Sequence, residues 1–121
     1  MQVLICGSRG WEDADCIEAA LAELPEHSVI IAGGARGADK IGEELARARG
    51  LQVRVFPADW DAYGKRAGYL RNIQMLDQEP DQVWVFWDGQ SRGTQHTMSE
   101  ARKRGIPTRV WTPAGEQASL F

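Results

Sequence analysis

Val83-Trp84-Val85-Phe86-Trp87 is an unbroken run of β-branched and aromatic residues with no polar alternation. A strand with one face in water alternates, whereas a strand covered on both faces does not, so this run reads as the centre of a buried sheet. The central run extends over Gln82 to Trp87, and other strand-like runs occupy Val3 to Cys6, Ser28 to Ala32, Gln52 to Phe56 and Thr108 to Thr112. Helical spacing fills the gaps between them. Ile17, Ala20, Leu21 and Leu24 share one face of a first helix, which Asp13 or Asp15 caps and Pro25 helps to end. Ala38, Ile41, Leu45 and Ala48 mark a second helix, and Ala67, Leu70, Ile73 and Leu76 a third. A fourth, about Thr94 to Arg104, has Met98 and Ala101 as its main core candidates. Strands alternating with helices in this order predict an α/β fold: a Rossmann-like doubly wound three-layer sandwich with about five parallel strands. Residues 1–112 read as this domain and 113–121 as a C-terminal tail.

The bulk composition narrows the function classes. The chain has 121 residues, 43% hydrophobic and 26% charged, the balance of one soluble globular domain. No apolar run approaches the roughly 20 residues of a membrane span. Met1-Gln-Val-Leu-Ile-Cys6 enters a strand pattern without a basic leader, so a cytosolic location is expected. Cys6 and Cys16 fit neither a metal motif nor a disulfide framework and read as reduced thiols. A net charge of −3 argues against broad nucleic-acid binding but leaves room for a local basic patch.

Five arginines in this chain are followed directly by glycine, and the pairs divide by position. Arg49-Gly50 and Arg104-Gly105 follow helical stretches and precede strands, where a cation and a residue tolerant of positive φ end a helix. Arg9-Gly10, Arg36-Gly37 and Arg92-Gly93 follow strands and precede helices, where free backbone N–H groups collect and anions bind. In an open α/β sheet these loops fall on the carboxyl edge of the strands, where ligands gather. The spacings of a dinucleotide fingerprint and of a Walker loop are both absent. The loops offer Gly7, Ser8 and Arg9; Gly33, Gly34, Arg36, Gly37 and Asp39; and Ser91, Arg92, Gly93 and Thr94 as candidate phosphate ligands. After the third strand, Trp60, Tyr63 and Tyr69 either stack on a base or pack over the sheet edge, and Arg71 and Asn72 reach toward a phosphate or ribose. Asp39, Asp59, Asp88 and Glu100 are the acids available for chemistry, and no Ser/His/Asp or Cys/His set assembles.

Gly7-Ser-Arg-Gly-Trp11, Gly33-Gly-Ala-Arg-Gly-Ala-Asp39, Phe56-Pro-Ala-Asp-Trp60, Arg71-Asn72 with Met75, and Trp87-Asp-Gly-Gln-Ser-Arg-Gly-Thr94 resemble the YspA-like branch of the SLOG superfamily from about Val3 to Trp111. The resemblance implies a Rossmann-like fold that binds nucleotides or nucleotide-derived ligands, with homodimers common among relatives. The superfamily includes LOG-type phosphoribohydrolases, which carry an Arg-Lys-x-x-x-Met-like helix and a Pro-Gly-Gly-x-Gly-Thr-x-x-Glu motif. Arg71 with Met75 matches the first in part, and Arg92-Gly-Thr94 the second, but Thr97 stands at the glutamate position and Gly-Gln-Ser replaces Pro-Gly-Gly. The first loop also resembles the Gly-Ser-Arg start of DprA-type single-strand DNA binders. Gln117-Ala-Ser-Leu-Phe121 is similar to the short peptide by which bacterial proteins dock on the DNA sliding clamp.

Three expectations follow. The first is a cytosolic binding module or sensor for a nucleotide or nucleotide-derived phosphorylated ligand, with no cofactor required and no direct nucleic-acid binding. The second is a hydrolase of an N-glycosidic or phosphate bond in such a ligand, using Arg71 and Arg92 on phosphate with Asp39, Asp59 or Glu100 as acid or base. The third is a DNA-associated protein docking on the sliding clamp through Gln117 to Phe121.

Overall fold

The structure is a computed structural model and describes residues 1–117. Its parallel strands are β1 (Gln2–Gly7), β2 (Val29–Ala32), β3 (Gln52–Val55), β4 (Gln82–Phe86) and β5 (Thr108–Thr112). The helices are α1 (Ala14–Leu21), α2 (Ala38–Ala48), a short α3 (Trp60–Tyr63) followed by a 3₁₀ turn at Gly64–Arg66, α4 (Ala67–Leu76) and α5 (Arg92–Lys103). A two-residue strand, β6 (Gly115–Glu116), completes a six-stranded sheet of order β3-β2-β1-β4-β5-β6. β6 runs antiparallel to β5, opposing Trp111 to Glu116, and Arg109 of β5 holds Glu116 at 2.8 Å. The stretch after residue 112 thus begins as a sheet edge. The clamp-like peptide falls outside the described residues except for Gln117.

Alternation along each strand splits the core into two layers. Val3, Ile5, Ile30, Trp84 and Phe86 face α1 and α2, while Leu4, Cys6, Ile31, Val83 and Val85 face α4 and α5. Residues 83–86 are at most 1% exposed, as the unalternating run predicted. Phe86 stacks on Trp111 with centroids 4.6 Å apart, so β4 and β5 are tied by aromatic contact as well as by their ladder.

Two helices are rotated relative to their large apolar residues. α2 buries Ala38, Asp39, Gly42, Glu43 and Ala46, whereas Ile41 and Leu45 pack at the margin and Ala48 is exposed. A Cβ at Gly42 would stand 3.1 Å from Ile5, so small residues let the helix lie close on β1 and carry two acids inward with them. α4 buries Ala67, Asn72, Met75 and Leu76, while Leu70 is 43% exposed. The Asn72–Met75 side therefore faces the protein, and the expected Ala67–Leu70–Ile73 stripe only partly does.

Helix ends follow local chemistry. Asp13, not Asp15, caps α1 by accepting the amides of Asp15 and Cys16. Arg49 and Arg104 are the C-caps of α2 and α5, and Gly50 and Gly105 after them take φ of 78° and 73°. No helix among the described residues is long and apolar enough to cross a membrane.

Candidate functional site

The strand order reverses between β1 and β4, the place where an open sheet leaves a crevice at its carboxyl edge. A cleft of about 500 Å³ occupies that position. Its floor is the end of β1 (Cys6, Gly7), and its sides are the loop after β1, the start of α5 and the inner face of α4.

The first loop is fastened by Ser8, which is 1% exposed. Its amide donates to the Phe86 carbonyl at 2.9 Å, its hydroxyl oxygen accepts the Asp88 amide at 2.9 Å, and its carbonyl accepts the amides of Trp11 and Ala38. Ser8 thus joins the first and third loops and α2, with its side chain turned into the protein. In the third loop, Asp88 accepts the amides of Gln90 and Ser91, and these bonds hold its carboxyl below the usual range. Ser91 caps α5 through the Thr94 amide and meets the Thr94 hydroxyl at 2.9 Å. Gly93 and Thr94, the second and third residues of α5, line the cleft, where the helix N-terminus favours an anion.

Half-buried Arg71 and buried Asp39 are coupled electrostatically without forming an ion pair. Arg71 donates to the Gly33 carbonyl and, through Nε, to Asn72 Oδ1 at 3.0 Å. Asn72 in turn reaches the Gly93 carbonyl at 3.4 Å. A side chain at Gly33 would coincide with the guanidinium, so this glycine is the seat of Arg71. Asp39, 4% exposed, accepts the Gly33 amide at 3.1 Å. Burial raises its carboxyl from 3.8 to about 6, against the opposing pull of Arg71 and of the Gly33 and Ala35 amides. Burial also lowers the Arg71 guanidinium, with Asp39 opposing that shift. Cys6, whose thiol donates to the Trp84 carbonyl at 3.7 Å, is pushed far above the ordinary thiol range by burial and is inert as a nucleophile.

The Asp39 shift has a definite sign. The folded state holds this proton more tightly than the unfolded one, so its stabilising effect is complete below pH 3.8 and is lost as pH rises through about 6. Two units correspond to about 3 kcal/mol. Relative to Asp39→Asn, the wild-type unfolding free energy is expected to fall by about that amount between pH 4 and pH 7 in urea titrations. Parallel pH profiles for the two proteins would refute the assignment.

Of the residues singled out from sequence, Gly7, Arg9, Asp39, Trp60, Tyr69, Arg71, Asn72, Ser91, Gly93 and Thr94 line this cleft. Gly33, Gly34 and Arg36 line an adjoining outer cleft. Ser8, Gly37 and Arg92 line neither. Arg92 is exposed, so the three Arg-Gly loops do not converge as three arginines on one point. Asp59 caps α3 through the Ala62 amide, and Glu100 pairs with Lys103 at 3.4 Å; neither lines either cleft. Gly68 and Met75, which share the Arg71–Asn72 face of α4, line the inner cleft too, and Lys65 does so without having been singled out. The 3₁₀ turn that places Lys65 has no periodic signal, and its aromatic flanks drew the reading instead.

Three comparisons bear on this architecture. The YAcAr family, described as the YspA, cpYpsA-related SLOG family, matches residues 1–63. The Gene 61 protein of Mycobacterium phage D29 is 44% identical over 115 residues, covering 88% of this chain and 92% of that protein. DNA processing protein A (DprA) from Streptococcus pneumoniae shares the fold with a TM-score of 0.77 at 18% identity, over 99% of this chain and 51% of that one. This chain therefore spans about half the length of the DprA chain. With residues 1–63 matched and the doubly wound sheet in place, the chain belongs to the YspA, cpYpsA-related SLOG family.

Proposed function

We propose that the protein binds a nucleotide or nucleotide-derived phosphorylated ligand in the inner cleft. One observation carries this reading: Arg9, Lys65 and Arg71 line the same switch-point cleft as the N-terminus of α5, with Trp60 and Tyr69 at its rim. The cations and helix terminus suit a phosphate, and the half-exposed rings, at 50% and 42%, suit a base. The volume of about 500 Å³ is in the range of a small-molecule site.

Thermal shift and calorimetry with AMP, ADP-ribose and NAD test the proposal. At least one is expected to stabilise the fold, by about 2.7 kcal/mol at one hundred times its Kd. Arg9→Ala and Lys65→Ala each remove one exposed cation and are expected to weaken that ligand about tenfold. An intact fold that responds to none of the three would refute the reading. A short single-stranded oligonucleotide is expected to bind less well than the responding nucleotide.

The hydrolase alternative keeps two of its residues in the cleft. Its favourable observation is Asp39, an acid held at about 6 beside Arg71. Against it, the position of the hydrolase glutamate is Thr97, whose hydroxyl donates to the Gly93 carbonyl at 3.2 Å. Incubation with nucleoside monophosphates is therefore expected to release neither base nor phosphate.

A further inference from the structure

Arg9, Ala35, Trp60 and Arg71 line the inner cleft on one side and, on the other, an outer cleft of about 520 Å³. The outer cleft lies between the start of α2, the Gly33-Gly34 turn and the loop after β3. Arg36, Lys40 and Arg47 also line it, are exposed, and form no ion pair among the described residues. In a chain of net charge −3 this is a local excess of positive charge.

Glu43 lines the same cleft and is 2% exposed. Its Oε1 is buried without a hydrogen-bond partner, and no cation forms an ion pair with it. A buried carboxylate oxygen left in this way is costly, and ordinarily a donor from the protein satisfies it. Oε1 lies near the Gly33-Gly34 turn that bounds the cleft: a Cβ at Gly34 would stand 4.0 Å from it.

Lys40, Glu43 and Arg47 follow one another at three- and four-residue intervals on α2, so they share a helix face. A buried carboxyl group with exposed cations in the same cleft suits a molecule with hydroxyl donors at one end and an anion at the other. We propose that the outer cleft is a second binding site, for a sugar phosphate with free vicinal hydroxyls. The hydroxyls donate to Glu43, and the phosphate lies against Lys40, Arg47 and Arg36.

Amide chemical-shift titration of the full chain separates the two clefts, because residues 40–47 and Gly34 report the outer one and residues 93–97 the inner one. Ribose 5-phosphate and AMP present the same sugar phosphate free and base-linked; whichever shifts residues 40–47 at the lower concentration identifies the source. The better of the two is expected to bind wild type at least tenfold more tightly than Glu43→Gln. It is expected to bind fivefold more tightly than its 2-deoxy counterpart. Arg47→Ala, a change on the exposed surface, is expected to weaken the ribose and deoxyribose forms alike. Absence of shifts at residues 40–47 with both probes, equal affinity for the deoxy sugar or inorganic phosphate, or unchanged affinity in Glu43→Gln would each overturn the proposal.

Discussion

Arg71→Met is expected to lower the unfolding free energy by about 1–2 kcal/mol at pH 8 and by less than half of that at pH 5. The guanidinium sits beside the buried Asp39 and donates to the Gly33 carbonyl, whose own amide is held by Asp39. At pH 8 the variant leaves an ionised carboxyl in the protein without its countercharge. At pH 5 the wild-type Asp39, raised to about 6, already carries its proton, so Arg71 has little charge to offset. A loss due only to missing side-chain packing would be the same at both values. Arg71→Met/Asp39→Asn removes both charges and is expected to recover most of the pH 8 loss in a double-mutant cycle. A pH-independent loss, or additive single effects, would show that the two groups are not coupled.

The same pair explains why the site is only partly legible in the sequence. A run such as Val83 to Trp87 announces itself because burial on two faces removes polar residues from consecutive positions. The Arg-Gly pairs after α2 and α5 were legible for a similar local reason: a helix must stop, and the following glycine takes positive φ. Asp39 and Asn72 were legible as candidates but not as buried residues, and Glu43 was not legible at all. They are buried polar residues whose faces are chosen by the space beneath Ala38, Gly42 and Ala46 in α2, and by the seat of Arg71 in α4. Periodicity weights large apolar residues, so it turned α2 toward Ile41 and away from Glu43 and gave Leu70 of α4 to the core, although the Arg71–Asn72 face of α4 stood apart from that stripe. Sequence spacing placed Arg9, Arg36 and Arg92 on the correct edge. It could not assign them to the inner cleft, the outer cleft and solvent, because that division depends on side-chain direction.

Gly7→Ala is expected to cost about 3 kcal/mol, at the upper end of overpacking changes. Gly7 ends β1 opposite Phe86, and the added methyl would meet the Phe86 carbonyl inside contact distance and Ala38 Cβ at 2.6 Å. Neither wall yields cheaply, since one is the backbone of the central strand and the other opens α2. The Ala38 amide donates to the Ser8 carbonyl at 3.3 Å, so moving the helix away breaks the fastening of the first loop. Gly37 closes the opposite side: its φ is +77°, and a methyl there would run into the backbone of Ser8 and Arg9. Strand end and helix start are thus interlocked through residues without side chains, and the cleft floor lies where they meet. Ala38→Gly removes one wall and alone costs about 1 kcal/mol for the buried methyl it deletes. The double variant Gly7→Ala/Ala38→Gly is therefore expected to be more stable than the sum of the single effects, while still below wild type because the Phe86 carbonyl remains. Urea unfolding of the four proteins measures this coupling directly. A Gly7→Ala loss below 1 kcal/mol, or strict additivity with Ala38→Gly, would mean that the junction relaxes and that close packing is not what requires glycine there.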